Sequence, residues 1–372
     1  RAQRDFISYY TAQNLFSNEL LNCLQSELPV VIRINRTRSS FEKVQKVVQE
    51  NENWSEICAF PDSCVFQCSA DTFTKEKEFK QWLNKQNKGY TLRYQEAVSL
   101  LPPLLLDLPS PDAQTILDMC AAPGSKTLEC MELLELSKTE ETRDYCLIAN
   151  EADAKRCQRL LPMILRKGCS TGIIATLGDA RKFPITFSSE ESSGNHEQFL
   201  FDRVLCDVPC SGDGTIRKNP NIWNTWSCEF GMSLHPKQLS ILLRGLHLLK
   251  ENGILVYSTC SLNPIENEAV VAAALEVFGD SVVCLNSHTK LGEVLTGQFQ
   301  ISAGLTQWVV PCKNNKSVDN FISSWTEVSE HDTPNILKTM FPSSSSDICK
   351  QLEGCARVFP HHNNTGGFFM AT

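Results

Sequence analysis

Between residues 90 and 280 the apolar positions fall into short continuous runs separated by stretches with helical spacing. Continuous runs predict strands buried on both faces, and the intervening 3.6-residue spacing predicts amphipathic helices. The predicted strands are Thr115–Met119, Tyr145–Asn150, Gly172–Ala175, Val204–Val208 and Ile254–Thr259. The predicted helices are Gln95–Leu101, ended by the Pro102-Pro103 pair, then Lys126–Leu136, Asp153–Lys167, Pro236–Leu249 and Glu266–Phe278. Strands alternating with helices of this length imply a parallel, doubly wound α/β sheet. Arg357-Val358-Phe359 and Gly367-Phe368-Phe369-Met370 read as paired strands on its edge, and the Ser/Glu/Gly/Asn-rich stretch Ser188–Glu197 as a surface insertion. Ahead of residue 85 the alternation is absent. Phe6–Leu24, Glu42–Val48 and Phe79–Leu83 have helical spacing and Val30–Ile34 is a short strand, so a small α+β domain is expected over 1–88 and the α/β domain over 89–372.

A chain of 372 residues with 42% apolar and 21% charged residues has an ordinary globular composition and is long enough for two cores. It begins with Arg1 rather than Met, the mark expected of a piece of a longer chain. No apolar run approaches the roughly 18 residues needed to span a bilayer, and no secretory apolar segment opens the chain, so no membrane partner is expected. The 17 cysteines are odd in number and include no Cys-x-x-Cys pair, which argues against a zinc site or a disulfide framework and for a reducing, intracellular compartment. No metal is expected. The formal net charge of −8 argues mildly against nucleic-acid binding. Residues 1–100, however, carry 13 Lys+Arg against 12 Asp+Glu, whereas the remainder carries 22 against 31. Arg33, Arg36, Arg38, Lys43 and Lys46, then Lys75, Lys77, Lys80, Lys85 and Lys88, are local basic clusters of the kind that hold phosphates; a solvated face is the plainer alternative for any one of them.

Candidate chemistry gathers at the carboxyl ends of the predicted strands, where ligands bind in open α/β sheets. The strand ending at Asp118 opens into Cys120-Ala121-Ala122-Pro123-Gly124-Ser125-Lys126-Thr127, a small-residue turn into a helix start. It holds no Gly-x-Gly-x-x-Gly and no Walker spacing, so a nucleoside ligand without a diphosphate fits it better than a dinucleotide. Asn150-Glu151 ends the next strand, placing an acid where ribose hydroxyls are held, with Asp153 either a competitor or a helix cap. Gly178-Asp179-Ala180 follows the third strand; its carboxylate suits an exocyclic amine and equally a plain turn. Asp207-Val208-Pro209-Cys210-Ser211-Gly212-Asp213-Gly214-Thr215 ends the fourth strand, with Arg217 and Lys218 beyond it where a phosphate backbone would pass. Thr259-Cys260-Ser261 ends the fifth. One strand-end cysteine is ordinarily inert; two on adjacent strands suggest a thiol nucleophile.

With Gln95-Glu96-Ala97-Val98-Ser99, Asp118–Thr127, Asp207–Lys218, Tyr257–Glu268 and Pro360–Phe369 in this order, the chain resembles the Sun-type RNA (cytosine-5)-methyltransferase family, most closely its eukaryotic tRNA-methylating branch. The resemblance runs from about Gln95 to the end, and weakly through the amino-terminal domain. It implies a Rossmann-like fold, S-adenosyl-L-methionine as cofactor, RNA as partner (tRNA first, messenger or other noncoding RNA besides) and a nuclear setting. Carried over by position, it makes Cys260 the nucleophile, Cys210 the group that aids release, and Asp207 the acid facing cofactor and base. It further makes Cys120, Ala121, Ala122, Pro123, Gly124, Ser125 and Lys126 the cofactor loop, Glu151 the ribose acid where the branch usually has Asp, and Asp179 the adenine reader. The chemistry needs such a set. Carbon 5 of cytosine is a poor nucleophile, and a thiolate adding to carbon 6 turns it into an enamine carbon. An RNA-binding scaffold with a relic cofactor site and a thiol redox enzyme are the competing readings.

Overall fold

The computed structural model describes residues 2–60, 64–108, 110, 112–136, 145–165, 172–187, 197–295, 299–312, 320–328 and 336–372. They fall into two compact units. The first comprises Arg1–Leu101, Pro209–Leu239 and Ser258–Ala371, and the second Pro102–Val208, Ser240–Tyr257 and Thr372.

The first unit opens with helices α1 (Ala2–Ala12) and α2 (Asn18–Gln25). The spacing predicted one run from Phe6 to Leu24; Asn14 breaks it with φ +56°, a left-handed conformation that asparagine tolerates, and Ser17 recaps the chain by accepting from Leu20 N at 3.1 Å. Strand β1 (Val30–Ile34), helix α3 (Phe41–Gln49), strands β2 (Ser55–Glu56) and β3 (Val65–Cys68), helix α4 (Lys77–Lys88) and strand β4 (Leu92–Tyr94) follow. The strands form an antiparallel sheet in the order β2-β3-β1-β4, over a core that includes Ile32, Ile34, Val44, Val48, Trp54, Phe66, Leu83 and Leu92. Phe6, Tyr9, Tyr10, Leu20 and Leu24 of α1 and α2 join a different core, with Ile216, Trp226, Cys228 and Leu262.

The chain next enters α5 (Leu101–Leu105). Pro102 and Pro103 were expected to end a helix and instead lie in the first turn of one, where the missing N–H has no intrahelical partner to lose; Ala97–Leu100 ahead of them is a 3-10 turn. In the second unit β5 (Thr115–Asp118), α6 (Ser125–Leu136), β6 (Cys146–Glu151), α7 (Ala154–Leu165), β7 (Ile173–Leu177) and β8 (Phe201–Asp207) follow. Helix α8 (Cys228–His247) belongs to the first unit up to Leu239 and to the second from Ser240, and β9 (Leu249–Thr259) belongs to the second up to Tyr257. Helix α8 starts well ahead of the predicted Pro236, which lies inside it. The predicted end of α7 at Lys167 and residues 188–196 of the expected insertion lie outside the described residues.

The strand order is β9-β8-β5-β6-β7, with β5 parallel to β6 and β8, and β6 parallel to β7. The chain steps outward from β5 to β7 and then returns to the other side of β5, so the order reverses between β5 and β8. Ile116, Leu117, Leu147, Ala149, Val204, Leu205 and Cys206 are closed off from solvent, as a sheet covered on both faces requires. Asp118 lies beside Leu205 on one neighbour and Ala149 on the other, so Asp207 and Glu151 each sit two residues further along the same edge.

Back in the first unit, α9 (Glu268–Phe278) precedes β10 (Ala356–Val358) and β11 (Phe368–Ala371), which pair antiparallel as the sequence predicted. Arg357 on β10 is buried against Glu268, with Nε 2.6 Å from Oε1 and Nη2 2.5 Å from Oε2, and its Nη1 donates to Leu262 O at 2.9 Å. Among the described residues no helix is long and apolar enough to cross a membrane, and the sixteen described cysteines form no disulfide.

Candidate active site

In the second unit the loop between β5 and α6 is tied down by the end of β6. Ala121 N donates to Asn150 O at 2.8 Å and Ala122 N to Glu151 Oε2 at 3.3 Å. Asn150 Nδ2 donates to Met119 O at 3.0 Å and to Gly178 O at 2.9 Å, stitching three strand ends together. The Ala122–Pro123 peptide is cis, and Gly124 has φ +107°. A Cβ at Gly124 would also stand 2.8 Å from Leu160 Cδ1, so conformation and space both demand glycine. Cys120 lines this loop, and desolvation beside Asp118, Asp207 and Glu151 pushes its thiol up, away from nucleophilic use.

The acids of the loop differ in their surroundings. Glu151 is 3% exposed and also accepts from Asp153 N at 2.9 Å, with Arg156 3.5 Å away. Asp153 caps α7 by accepting from Arg156 N at 2.8 Å, so the cap belongs to Asp153 and the loop contact to Glu151. Asp179 is held by its own neighbour: Arg181 Nη2 lies 2.6 Å from Oδ2, which pulls the carboxyl down to about 2. Asp207 Oδ2 lies 2.7 Å from Lys126 Nζ at the start of α6. Asp118 accepts from Thr127 Oγ1 at 2.7 Å, but its Oδ1 is buried without a hydrogen-bond partner. Burial raises its carboxyl to about 7; the Thr127 bond opposes the shift and the charge of Asp207 adds to it.

In the first unit Cys210 lies three residues beyond β8 and Cys260 directly follows β9. Their Sγ atoms are 3.2 Å apart. Glycines let the surrounding loops close on one another: Gly214 N donates to Cys260 O at 3.0 Å and Gly367 N to Gly214 O at 2.8 Å. A Cβ at Gly214 would stand 2.6 Å from Gly367 O and 2.7 Å from Cys260 O. Gly366 N donates to Glu96 Oε1 at 2.7 Å, which accounts for the Gln95-Glu96 and Gly366-Gly367 motifs together. Beside the thiols lies a buried polar network on Asp213 and Glu266. Asp213 Oδ1 accepts from Leu262 N at 2.8 Å, and its Oδ2 accepts from Trp226 Nε1 at 3.1 Å and from the Tyr10 hydroxyl.

The sequence singled out the stretches holding Asp213 and Glu266 but not these two acids; nor did it give Asp118, Asn150 or Arg156 a role in the site. A buried acid beside small hydroxyl residues reads in sequence like any turn acid. One expectation is corrected. Arg217 does not face a passing phosphate backbone: it is 7% exposed and donates to Thr365 O at 2.9 Å, Glu27 O at 2.7 Å and Asn364 Oδ1 at 2.7 Å, so its charge is spent on bracing chain segments. Lys218 next to it is exposed.

The family model described as 16S rRNA methyltransferase RsmB/F matches residues 105–372, which hold every residue of both clusters except Glu96 and Tyr10. The chain belongs to this family. Among RsmB/F-related proteins, the multisite-specific tRNA:(cytosine-C(5))-methyltransferase of Saccharomyces cerevisiae is 37% identical over 97% of this chain and 54% of its own length. The trm4b enzyme of Schizosaccharomyces pombe, of the same description, is 37% identical over 99% of this chain and 58% of its own length. The chain thus spans about half the length of these fungal relatives. The tRNA (cytosine(34)-C(5))-methyltransferase of Drosophila melanogaster is 39% identical over 74% of this chain and 36% of its own length. Of solved structures, PH0851 matches with a TM-score of 0.59 at 22% identity, covering 95% of this chain and 61% of that one. NSun6 from Pyrococcus horikoshii with SFG matches with a TM-score of 0.58 at 16% identity, covering 95% and 92%. Identities this low speak to the fold alone, and the fold is the Rossmann-like α/β sheet expected from the strand pattern.

Proposed function

We propose that this RsmB/F-family chain methylates carbon 5 of cytosine in RNA, tRNA before other classes, with S-adenosyl-L-methionine as methyl donor. The observation that carries the reading is the pair of thiols 3.2 Å apart, on two loops that follow neighbouring strands. Addition to and elimination from a pyrimidine ring need a nucleophile and a second group to assist release, and two adjacent thiols can fill both roles. A redox pair is the weaker reading, because it leaves the β5–α6 loop and its acids without a purpose.

The β5–α6 loop suits the cofactor. Its glycine admits no Cβ, its backbone is held open by β6, and the unpartnered Oδ1 of Asp118 with Glu151 and Asp207 offers acceptors for a positively charged ligand. Cys120 to Lys126, Glu151, Asp179 and Asp207 would hold it, and when bound it supplies an electrophilic methyl group. Glu151 offers the ribose hydroxyls its remaining lone pairs, and Asp179 shares its carboxylate between Arg181 and the adenine amine. Cys260 adds to carbon 6 of cytosine. Asp207 passes to ring nitrogen 3, as electrons move there, a proton drawn from the Lys126 ammonium on its Oδ2. After the methyl group is on carbon 5, Cys210 assists loss of the carbon 5 proton and departure of Cys260.

RNA is held at its backbone by residues 1–88, in this proposal the accessory domain. Lys77, Lys80, Lys85 and Lys88 recur on one side of α4, with Lys80 Nζ 4.7 Å from the Phe73 ring centroid. Arg93 lies 4.0 Å over the Tyr90 ring. Cations interleaved with aromatic faces suit a phosphate backbone with unstacked bases. The nuclear setting belongs to the same proposal, and imaging of the full-length tagged protein tests it.

The experiment incubates purified protein with methyl-labelled cofactor and a pool of unmodified tRNA transcripts. Labelled 5-methylcytosine is expected from the wild type and none from Cys260→Ala. Cys210→Ala is expected to accumulate a denaturation-resistant protein–RNA adduct that disappears when Cys260 is also replaced. Normal cofactor binding with no 5-methylcytosine on any RNA would return the chain to the scaffold reading.

A further inference from the structure

We propose that Glu266 is a positioning residue that fixes the separation of the two thiols, holding each through the serine that follows it. This deepens the methyltransferase reading above and rests on it. Glu266 Oε1 accepts from Ser211 N at 2.7 Å and from Gln238 Nε2 at 3.0 Å. Its Oε2 lies 2.6 Å from Ser211 Oγ and 2.8 Å from Ser261 Oγ, and the two hydroxyls are 3.0 Å apart. Ser211 follows Cys210 and Ser261 follows Cys260, residues 50 apart in sequence. One carboxyl group thus bridges the two loops at a single residue's remove from each sulfur.

Most of the bridge is shielded from water: Glu266, Ser261 and Gln238 are completely buried, and Ser211 is half-buried. Space for it is provided by Gly231, where a Cβ would stand 2.9 Å from Glu266 Oε2 and 2.3 Å from Asn263 Nδ2. Asp213 backs the Cys260 side by lying 3.1 Å from Ser261 Oγ while it accepts from Leu262 N. Glu266 holds Ser211 and Ser261 directly, and each serine adjoins a cysteine, so its effect on chemistry runs through loop geometry.

The two sulfurs act in succession on one base. Cys260 can add wherever its own loop admits the ring, but Cys210 can release the adduct only while it stays beside Cys260. Loosening the bridge should therefore impair release more than attack. Glutamine should replace glutamate here: its amide oxygen keeps Ser211 N and Gln238, and its amide nitrogen donates to serine hydroxyls that turn to accept. A group needed for its charge or for proton transfer would not be rescued in this way.

The test follows formation of the Cys210–Cys260 disulfide by glutathione disulfide, without RNA or cofactor. Two thiols give up two electrons and two protons, and the oxidant becomes two glutathione thiols. Glu266→Ala is expected to slow cross-linking about tenfold and Glu266→Gln to restore it, the size expected when a buried acceptor is lost and its donors are stranded. With the tRNA transcript pool and cofactor, Glu266→Ala should accumulate covalent adduct although both cysteines remain. Folded Glu266→Ala that cross-links at the wild-type rate overturns the proposal, as does a Gln variant no faster than Ala. Should Glu266→Ala not fold, Ser211→Ala and Ser261→Ala each remove one arm and carry the same expectation and the same refutation. Cross-linking slowed by Ala and restored by Gln, in a protein that methylates no RNA, would sustain the bridge and overturn the catalytic reading instead.

Discussion

Lys126 Nζ stands 2.7 Å from Asp207 Oδ2, with the lysine side chain 13% exposed and the aspartate 29%. The two residues lie 81 positions apart, on the first turn of α6 and the last residue of β8, and meet because β5 and β8 are parallel neighbours, with β8 running two residues past the end of β5. An ion pair this shielded counts for more than a surface pair, because less water screens it. It supplies Asp207 with a donor at the edge where the β5–α6 loop lies.

Lys126→Ala should cost the methylation rate about 100-fold or more, the usual scale for a group that manages proton position in the transition state. Cofactor affinity should change much less, because the loop from Ala121 to Gly124 is held by Asn150 and Glu151. Single-turnover rates alongside a cofactor titration check this; a variant that loses cofactor binding in proportion to rate would make Lys126 a binding residue.

Gly124→Ala forces a side chain into φ +107° and into contact with Leu160 Cδ1. A cost of about 1–3 kcal/mol is expected from overpacking alone. Cofactor affinity should fall with it, since the same loop would hold the ligand. Denaturant unfolding and a binding titration provide the two numbers, and unchanged affinity in a destabilised variant would remove the loop from the cofactor site.

Asp118, whose carboxyl burial raises to about 7, makes stability depend on pH with a definite sign. The folded state binds this proton more tightly than the unfolded chain, so the contribution is fully present at low pH, below the unfolded value. It is lost as pH rises towards and through 7. The span is on the order of 4 kcal/mol at most. Glu266, raised by burial and by Asp213, slopes the same way, so the comparison must be between wild type and Asp118→Asn. The Asn variant should show a flatter decline in unfolding free energy between about pH 4 and 7, the window between the unfolded and folded values. Parallel curves would contradict the assignment.

Tyr10→Phe removes the hydroxyl that donates to Asp213 Oδ2 and leaves Trp226 Nε1 as its remaining donor named above. A loss of roughly 1.5–3 kcal/mol is expected, the scale of one hydrogen bond to a charged group. Because Asp213 also holds Leu262 N, slower Cys210–Cys260 cross-linking should accompany it. Equilibrium unfolding and the cross-linking rate measure both, and no change in either would detach α1 from the thiol loops.

Much of the site was legible along the chain. Asp118–Thr127, Asp207–Cys210 and Thr259–Ser261 were picked out because small residues, acids and thiols at strand ends are expensive to place there without use. Asn150 and Glu151 were noticed for the same reason, and the contest between Glu151 and Asp153 resolved into one residue for the loop and one for the helix cap. Helix limits were less legible. Pro102, Pro103 and Pro236 carry the same side chain, yet two of them start a helix and one lies within another, because the outcome depends on which carbonyl each would deprive of its donor. Arg217 was misjudged because nothing local distinguishes an arginine facing a phosphate from one bonded to backbone oxygens at residues 27 and 365.

The sequence by itself determined the parallel sheet, the edge at which its acids and small-residue loops gather and the identities of the two cysteines. Each of these follows from local periodicity or from the chemistry of a short motif. Only the tertiary structure decided that Cys210 and Cys260 stand 3.2 Å apart, that Lys126 pairs with Asp207, and that Tyr10 and Glu266 brace the thiol loops. Those facts join residues 50 to 203 positions apart. A hydrogen bond between them depends on strand register and helix packing, which burial of the whole core sets and no short stretch of chain encodes.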